Sequence, residues 1–158
     1  MDRSRAETLR PARVQDARAL AEMSRDLIEG GLSWRYTPPR MAALIRERDT
    51  MALVASDGPR LHGFAVMQFG DTEAHLTLLC VQPAQRHRGI GRRLIEWLVA
   101  SARVAGITAI RLELRADNAS ALAFYQRLGF VETQWLPGYY AGRIAARGMV
   151  LKLVDTAG

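Results

Sequence analysis

Apolar and polar positions along this chain repeat with two different periods, and the places where one gives way to the other mark its elements. Thr8 to Arg10 reads as a short first strand. From Val14 to Ile28 the residues Ala17, Leu20, Ala21, Leu27 and Ile28 fall near one stripe, as on an amphipathic helix, and Gly30-Gly31 stops it. Pro38-Pro39 suits the first turn of a shorter second helix that would bring Met41, Leu44 and Ile45 inward. Between them lies the aromatic-basic loop Trp34-Arg35-Tyr36. Such aromatics mostly pack a loop onto the core, and contact with a substrate is the minority reading.

Met51 to Ala55, Leu61 to Phe69 and Ala74 to Val81 follow as strands, with turn chemistry at Asp57-Gly58-Pro59 and Gly70-Asp71, the pattern of an antiparallel meander. The period then lengthens. Ile90, Leu94, Ile95, Leu98 and Ala102 form a helical stripe that Gly106 ends. In the next strand, Ile107 to Leu114, Ile110, Leu112 and Leu114 face one way, and Arg111, Glu113 and Arg115 the other. Asp117-Asn118 can cap a helix carrying Leu122, Tyr125 and Leu128 on one face, closed by Gly129. Phe130 to Leu136 and Met149 to Val154 read as the last two strands, joined through the segment PGYYAGR. The expectation is one α+β (mixed α/β) domain over residues 1–158, with a strand–loop–helix–strand unit at its centre.

Composition narrows the function classes. Net charge is +6, and arginine supplies 21 of the 22 basic residues, leaving Lys152 as the sole lysine. An anionic partner fits that charge, but it is spread along the chain and forms no basic tract, which argues against a nucleic-acid binder. Cys80 is the single cysteine, so no disulfide framework exists. His62, His75 and His87 lack the close carboxylate or cysteine pairing of a zinc site, and no metal is expected. The charged N-terminus MDRSRAE and the lack of any apolar run near 20 residues point to a cytoplasmic protein that does not enter membranes.

One loop stands out: VQPAQRHRGIGRRL, Val81 to Leu94, gathers four arginines and a histidine around two glycines before a helix. A strand running through such a loop into a helix directs free main-chain N–H groups at one point, a site suited to phosphate. Gly89 and Gly91 allow positive φ or close approach of a ligand, and the arginines add charge at the rim. Arg93 is expected to point along the helix into solvent. A Walker loop fails for want of its spacing and lysine, and a GxGxxG fingerprint fails because its last position is Leu94. What remains is Arg86-x-x-Gly89-x-Gly91.

That pattern resembles the acetyl-CoA signature of the GNAT superfamily of N-acetyltransferases, with the family's apolar strand and proline ahead of it as Leu79-Cys80-Val81-Gln82-Pro83. Downstream, LELRADNASALAFYQRLGF (Leu112 to Phe130) is similar to the bacterial ribosomal-protein-alanine N-acetyltransferases, sharing Glu113, Arg115, Asn118, Ala121, Tyr125 and Gly129-Phe130 in spacing. The similarity runs from about Leu61 to Lys152, and the first sixty residues fit only in outline. It implies a GNAT fold: a single, mostly antiparallel sheet with one splayed parallel pair, the strands ending at Val81 and Leu114, flanked by about four helices.

The resemblance also implies roles. Arg86, His87, Arg88, Gly89, Ile90, Gly91 and Arg92 would hold the pyrophosphate of acetyl-CoA. The main chain of Leu79, Cys80 and Val81 would pair with the pantetheine arm, and Asn118 would touch the arm from the other side. Glu113 matches the family's base, directly or through water, against a plainer reading as a carboxylate paired with Arg111 or Arg115. Tyr125 matches its general acid, with a phenol pKa near that of an alkyl thiol. A main-chain N–H near Cys80 or Val81 would receive the oxyanion. Cys80 as an acyl-carrying nucleophile is the weaker idea, since no partner base is visible.

One departure concerns the acceptor: the ribosomal-protein enzymes carry acidic residues after a Gly-Arg pair, whereas here Gly142-Arg143 leads into Ile144-Ala145. The expected activity is transfer of acetyl to a primary amine, either a protein N-terminus or a small molecule, with a non-catalytic CoA-binding module as the lesser alternative. Homodimerisation is left open.

Overall fold

A computed structural model describes residues 7–154. Its strands are β1 (Thr8–Pro11), β2 (Thr50–Asp57), β3 (Arg60–Phe69), β4 (Glu73–Val81), β5 (Ala109–Arg115), β6 (Val131–Tyr140) and β7 (Ile144–Lys152). The helices among the described residues are α1 (Ala17–Leu27), α2 (Pro38–Arg46), α3 (Ile90–Val104) and α4 (Ala119–Arg127), with short 3-10 turns at Val14–Asp16 and Pro83–Gln85. All seven strands join one sheet in the order β1-β2-β3-β4-β5-β7-β6. Every neighbouring pair is antiparallel except β4 and β5, which α3 connects as a crossover, as parallel neighbours require.

The expected meander is β2–β3–β4, and the expected splayed pair is β4–β5. Helix α3 buries the whole stripe Ile90, Leu94, Ile95, Leu98 and Ala102 against one sheet face, where Ile110, Leu112 and Leu114 of β5 meet it. On the opposite face α1 and α2 bury Leu20, Ala21, Met23, Met41 and Leu44 against Val54, Phe64 and Val66. The first turn of the predicted first helix is 3-10, and its inward stripe shifts toward Met23 and Ser24, leaving Leu27 and Ile28 half-buried.

Strand β4 departs from simple alternation. Ala74, Leu76, Leu78 and Cys80 are all buried and two apart, which in a regular strand puts them on one face. Met67 pairs with Leu76 and Val66 with Leu78, so Thr77 is an extra residue, a β-bulge. The bulge sends Ala74 and Leu76 into the α3 core, but Leu78 and Cys80 into the α1–α2 core.

The end of the chain corrects the expected boundaries. PGYYAGR is no open connection: β6 runs through Tyr140, and β7 starts at Ile144. Between them Arg143 N–H donates to the Tyr140 carbonyl at 3.0 Å, with Ala141 and Gly142 both at positive φ. Proline sits within β6 because that strand is an edge, bonded only to β7. From Leu136↔Ala146 to Tyr140↔Ile144, β6 advances four residues while β7 advances two, so Pro137 to Tyr139 arch away from the ladder.

Leu98 is fully buried between α3 and the sheet, whereas Val104 at the helix end is almost wholly exposed. Leu98→Ala should therefore cost about 2–5 kcal/mol of unfolding free energy, and Val104→Ala should stay within about 0.5 kcal/mol. Urea denaturation of the two variants measures the contrast.

Candidate active site

Strands β4 and β5 share only three pairs, Glu73↔Ala109, Ala74↔Ile110 and His75↔Arg111. Each remains paired on its other side, β4 with β3 up to Val81 and β5 with β7 up to Arg115. The two strands thus part after His75. From Thr77 to Val81 the edge of β4 that faces β5 has no strand beside it. Leu79, Cys80 and Val81, the residues expected to bond to an extended ligand, lie on this open edge. Arg86 Nε donates to the Val81 carbonyl at 3.2 Å, so the first arginine of the loop folds back onto the strand end.

The loop has the geometry expected of an anion cradle. Gly89 is the residue before α3 and has φ 79°, a left-handed conformation that side chains disfavour. No side chain caps the helix, which leaves its first main-chain N–H groups free. Gly91 differs from expectation: it is helical, and an added Cβ would lie 3.1 Å from the Phe124 ring. It permits packing of α3 on α4. The side chain of Ile90 is core, so only its main chain faces the cradle. His87 is exposed and itself has φ 64°. Arg92 pairs loosely with Glu96 on the helix surface at 3.5 Å.

Arg93 does not point into solvent. It donates to Glu7 Oε2 at 2.9 Å and to the Glu7 carbonyl at 3.3 Å. Glu7 is buried and also meets His62 Nδ1 at 3.3 Å and Arg88 at 3.4 Å. Burial alone would raise the Glu7 pKa. A main-chain hydrogen bond, Arg88, His62 and Arg93 outweigh it and hold the carboxyl below its ordinary value. A carboxylate just before the first strand thus anchors two arginines of the loop and its helix. Arg88 also donates to Gln85 Oε1.

A second network stands where the strands part. His75 Nε2 lies 2.6 Å from Glu113 Oε1, and the Tyr139 hydroxyl donates to the same oxygen at 3.1 Å. The arch in β6 is what carries Tyr139 there. His75 Nδ1 is 3.1 Å from Thr77 Oγ1, whose hydroxyl donates to Gln68 Oε1 at 2.7 Å, so both ring nitrogens have polar partners. The bond to His75 holds Glu113 below the usual carboxylate range; burial opposes this, and Tyr139 adds to it. With both partners on Oε1, Oε2 has no partner among the described residues. Neither predicted arginine holds Glu113, since Arg111 pairs with Glu73 at 2.9 Å and Arg115 donates to the Gly30 carbonyl.

His62 and His75 each do have a carboxylate neighbour, contrary to the reading of the histidines as unpaired. The partners lie 55 and 38 residues away in sequence, which only the sheet brings together. Among the described residues no three His, Cys, Asp or Glu side chains converge.

Tyr125 is the one buried residue of α4, edge-on to Phe124 and Phe130 with ring centres 5.1 and 5.4 Å away. It therefore packs as the Leu122/Leu128 stripe predicts. Its hydroxyl has no hydrogen-bond partner among the described residues, and burial, then Cys80 and Tyr140, push its pKa upward. Burial also pushes the Cys80 thiol up to about 12, so it is no ready nucleophile. Asn118 Oδ1 caps α4 by accepting from Ala121 N–H at 3.0 Å, and its amide NH₂ is left over for other bonds. Of the aromatic-basic loop, Trp34 and Tyr36 pack against the α1–α2 core, and Arg35 is exposed.

A sheet opened at a parallel pair, with a glycine-started helix at one end of the opening, defines an acyl-CoA-type transferase scaffold. The chain belongs to the acetyltransferase (GNAT) family, whose model matches residues 19–130, beginning well before the Leu61 expected from the motifs. It is 39% identical over 90 residues to the ribosomal protein bS18-alanine N-acetyltransferase of Salmonella typhimurium, covering 57% of this chain and 60% of that one. The chain thus spans less than two thirds of that relative's length. It is 36% identical over 132 residues to the N-alpha-acetyltransferase RimI of Mycobacterium tuberculosis, covering 79% of this chain and 78% of that one. The crystal structure of Ard1 from Thermoplasma volcanium superposes with a TM-score of 0.83 at 28% identity, over 96% of this chain and 100% of that one.

Because Glu7 stays ionised to below ordinary carboxylate pH, its contribution to stability is complete above its unfolded pKa. That contribution fades as pH falls through the lowered folded value. Arg93→Ala should thus cost about 1–3 kcal/mol near neutrality, and clearly less at a pH where Glu7 is protonated. Thermal unfolding of the variant and the parent across that range checks the sign.

Proposed function

We propose that the chain, as a single domain acting in the cytoplasm, transfers an acetyl group from acetyl-CoA to a polypeptide N-terminal amine. The observation that supports this most is the opening between β4 and β5, with Glu113 on β5, Tyr125 near enough to Cys80 of the open β4 edge to be acted on by it, and the uncapped start of α3 beyond Val81. Family membership suggests the donor, and the relatives named as alanine and N-alpha acetyltransferases suggest the N-terminal acceptor.

Acetyl-CoA, when bound, supplies the activated thioester. The free N–H groups after Gly89 and the guanidinium groups of Arg86, Arg88 and Arg92 bind its pyrophosphate, with His87 beside them. Arg86 exchanges the Val81 carbonyl for phosphate, a stronger, charge-assisted partner. The open edge at Leu79, Cys80 and Val81 receives the amide-bearing arm as a strand edge receives another strand. The spare amide of Asn118 adds a contact, and a main-chain N–H at Cys80 or Val81 faces the developing oxyanion.

Glu113, held low by His75, is a weak base compared with an α-amine of pKa about 8. It therefore attracts the arriving ammonium and relays its proton through water, using the unpartnered Oε2. Tyr125 supplies the thiolate's proton. Burial raises the phenol's pKa, and the same desolvation acts on a thiol brought beside it, so the two shift in the same direction.

Acetyl-CoA and CoA should raise the melting temperature at concentrations where NAD and ATP do little. Equal shifts with NAD or ATP would overturn the donor assignment. Tyr125→Phe keeps the packing and removes the proton. It should lower kcat on the order of 10²-fold with CoA affinity and melting temperature nearly unchanged, whereas a purely structural tyrosine would leave turnover intact. The acid limb of kcat/KM should follow the acceptor amine, at about pH 8 for a peptide. A limb below the ordinary carboxylate range, where His75 holds Glu113, would assign it to Glu113 itself.

A further inference from the structure

The surface in front of Glu113 is built from three segments: the α1–α2 connection, the end of β5 and the arch and turn of the β6–β7 hairpin. Each contributes a guanidinium. Arg115 donates to the Gly30 carbonyl and stands 6.0 Å from the centre of the Tyr140 ring. Arg143 donates to the Gly31 carbonyl at 3.2 Å. Arg35 is exposed beside Tyr36, 5.9 Å from its ring centre. Both residues act on the ionisation of Tyr139, Arg35 lowering its pKa and Tyr36 raising it, which sets them at the same mouth as the tyrosine that touches Glu113.

None of these three arginines has a carboxylate partner among the described residues, although Arg10, Arg25, Arg93, Arg111 and Arg147 each have one. The nearby carboxylates are turned to other partners. Glu113 Oε1 is taken by His75 and Tyr139. Glu29 is buried and spent on Ser24 and on the main-chain N–H groups of Arg35 and Tyr36, at 2.8, 2.6 and 3.3 Å. It fixes the loop so that the Arg35 side chain projects. A main-chain carbonyl is a weaker partner for a guanidinium than a carboxylate, and each guanidinium has five N–H donors, so Arg115 and Arg143 keep donors to spare.

We infer that the acceptor is a polypeptide whose N-terminal residue is followed by acidic side chains, Asp or Glu at its second or third position. This rests on the acetyltransferase reading and names its substrate class. The terminal amine goes to Glu113 while the carboxylates behind it meet Arg35, Arg115 and Arg143. Because these arginines come from three separate segments, an acceptor that engages more than one extends beyond a single amino acid. The same positive rim disfavours a basic sequence behind the amine, and it lowers the pKa of the ammonium that must lose a proton.

The test uses three peptides with N-terminal alanine, carrying Asp-Asp, Gln-Gln or Arg-Arg next, together with free glutamate as a small anionic amine. The Asp-Asp peptide should exceed the Arg-Arg peptide by about tenfold or more in kcat/KM, in keeping with two partly exposed charge pairs. The gap should narrow at high salt. Arg35→Glu and Arg143→Glu, whose folding is checked by melting temperature, should each reduce or reverse it. If no peptide turns over, the acetyltransferase reading fails, and peptide affinity measured by calorimetry with CoA present decides the present inference by the same ranking. Equal or reversed ranking in the parent protein, a gap unmoved by both variants, or preference for free glutamate would overturn it.

Discussion

Strands β4 and β5 hydrogen-bond over three residue pairs and then separate, and the rest of the site follows from that separation. Each strand stays bonded on its far side, so neither can bend back to close the gap. The Thr77 bulge falls two residues after the last shared pair, and bulges increase local twist. It also redistributes β4's apolar residues between the two cores, so the strand is held from both faces while its edge stands open. An unpaired strand edge inside a fold is a place for a ligand's amides. The crossover helix α3 begins beyond the end of that edge, with its first N–H groups uncapped by any side chain among the described residues.

Charge is managed by a few carboxylates in a chain that is rich in arginine. Glu7 gathers Arg88, Arg93 and His62 behind the anion cradle. Glu29 orders the α1–α2 connection from inside, through main-chain N–H groups and Ser24. Glu113 sits where the strands part, fixed on one oxygen by His75 and Tyr139. Glu7 ties the N-terminal third of the chain to its second half, Glu113 joins β4 and β6 to β5, and Glu29 acts locally on its own loop. Arg35, Arg115 and Arg143, three of the arginines without a carboxylate partner among the described residues, lie around the mouth in front of Glu113.

Much of this was legible in the chain itself. The α3 stripe, the β5 alternation, the Asn118 cap and the glycine before α3 each depend on residues within one or two turns of each other. Periodicity and local conformational preference therefore report them. The loop's spacing and the residues after it were enough to indicate the family. Pro137, Gly138 and Ala141 hid the long β6–β7 hairpin, because proline and glycine read as loop and alanine is no usual residue at positive φ.

What the sequence determined by itself was the set of elements, the helix-starting glycine and the residue types available for chemistry. Only the tertiary structure decided which charges meet. His75 and Glu113 are 38 residues apart, Glu7 and Arg93 are 86 apart, and Arg143 and Gly31 are 112 apart. Local preference carries no information over such separations, because the partners are chosen by strand order and register, which the two hydrophobic cores fix together. The same holds for β4: its even-numbered apolar residues predict one buried face, and the pairing with β3 divides them between two.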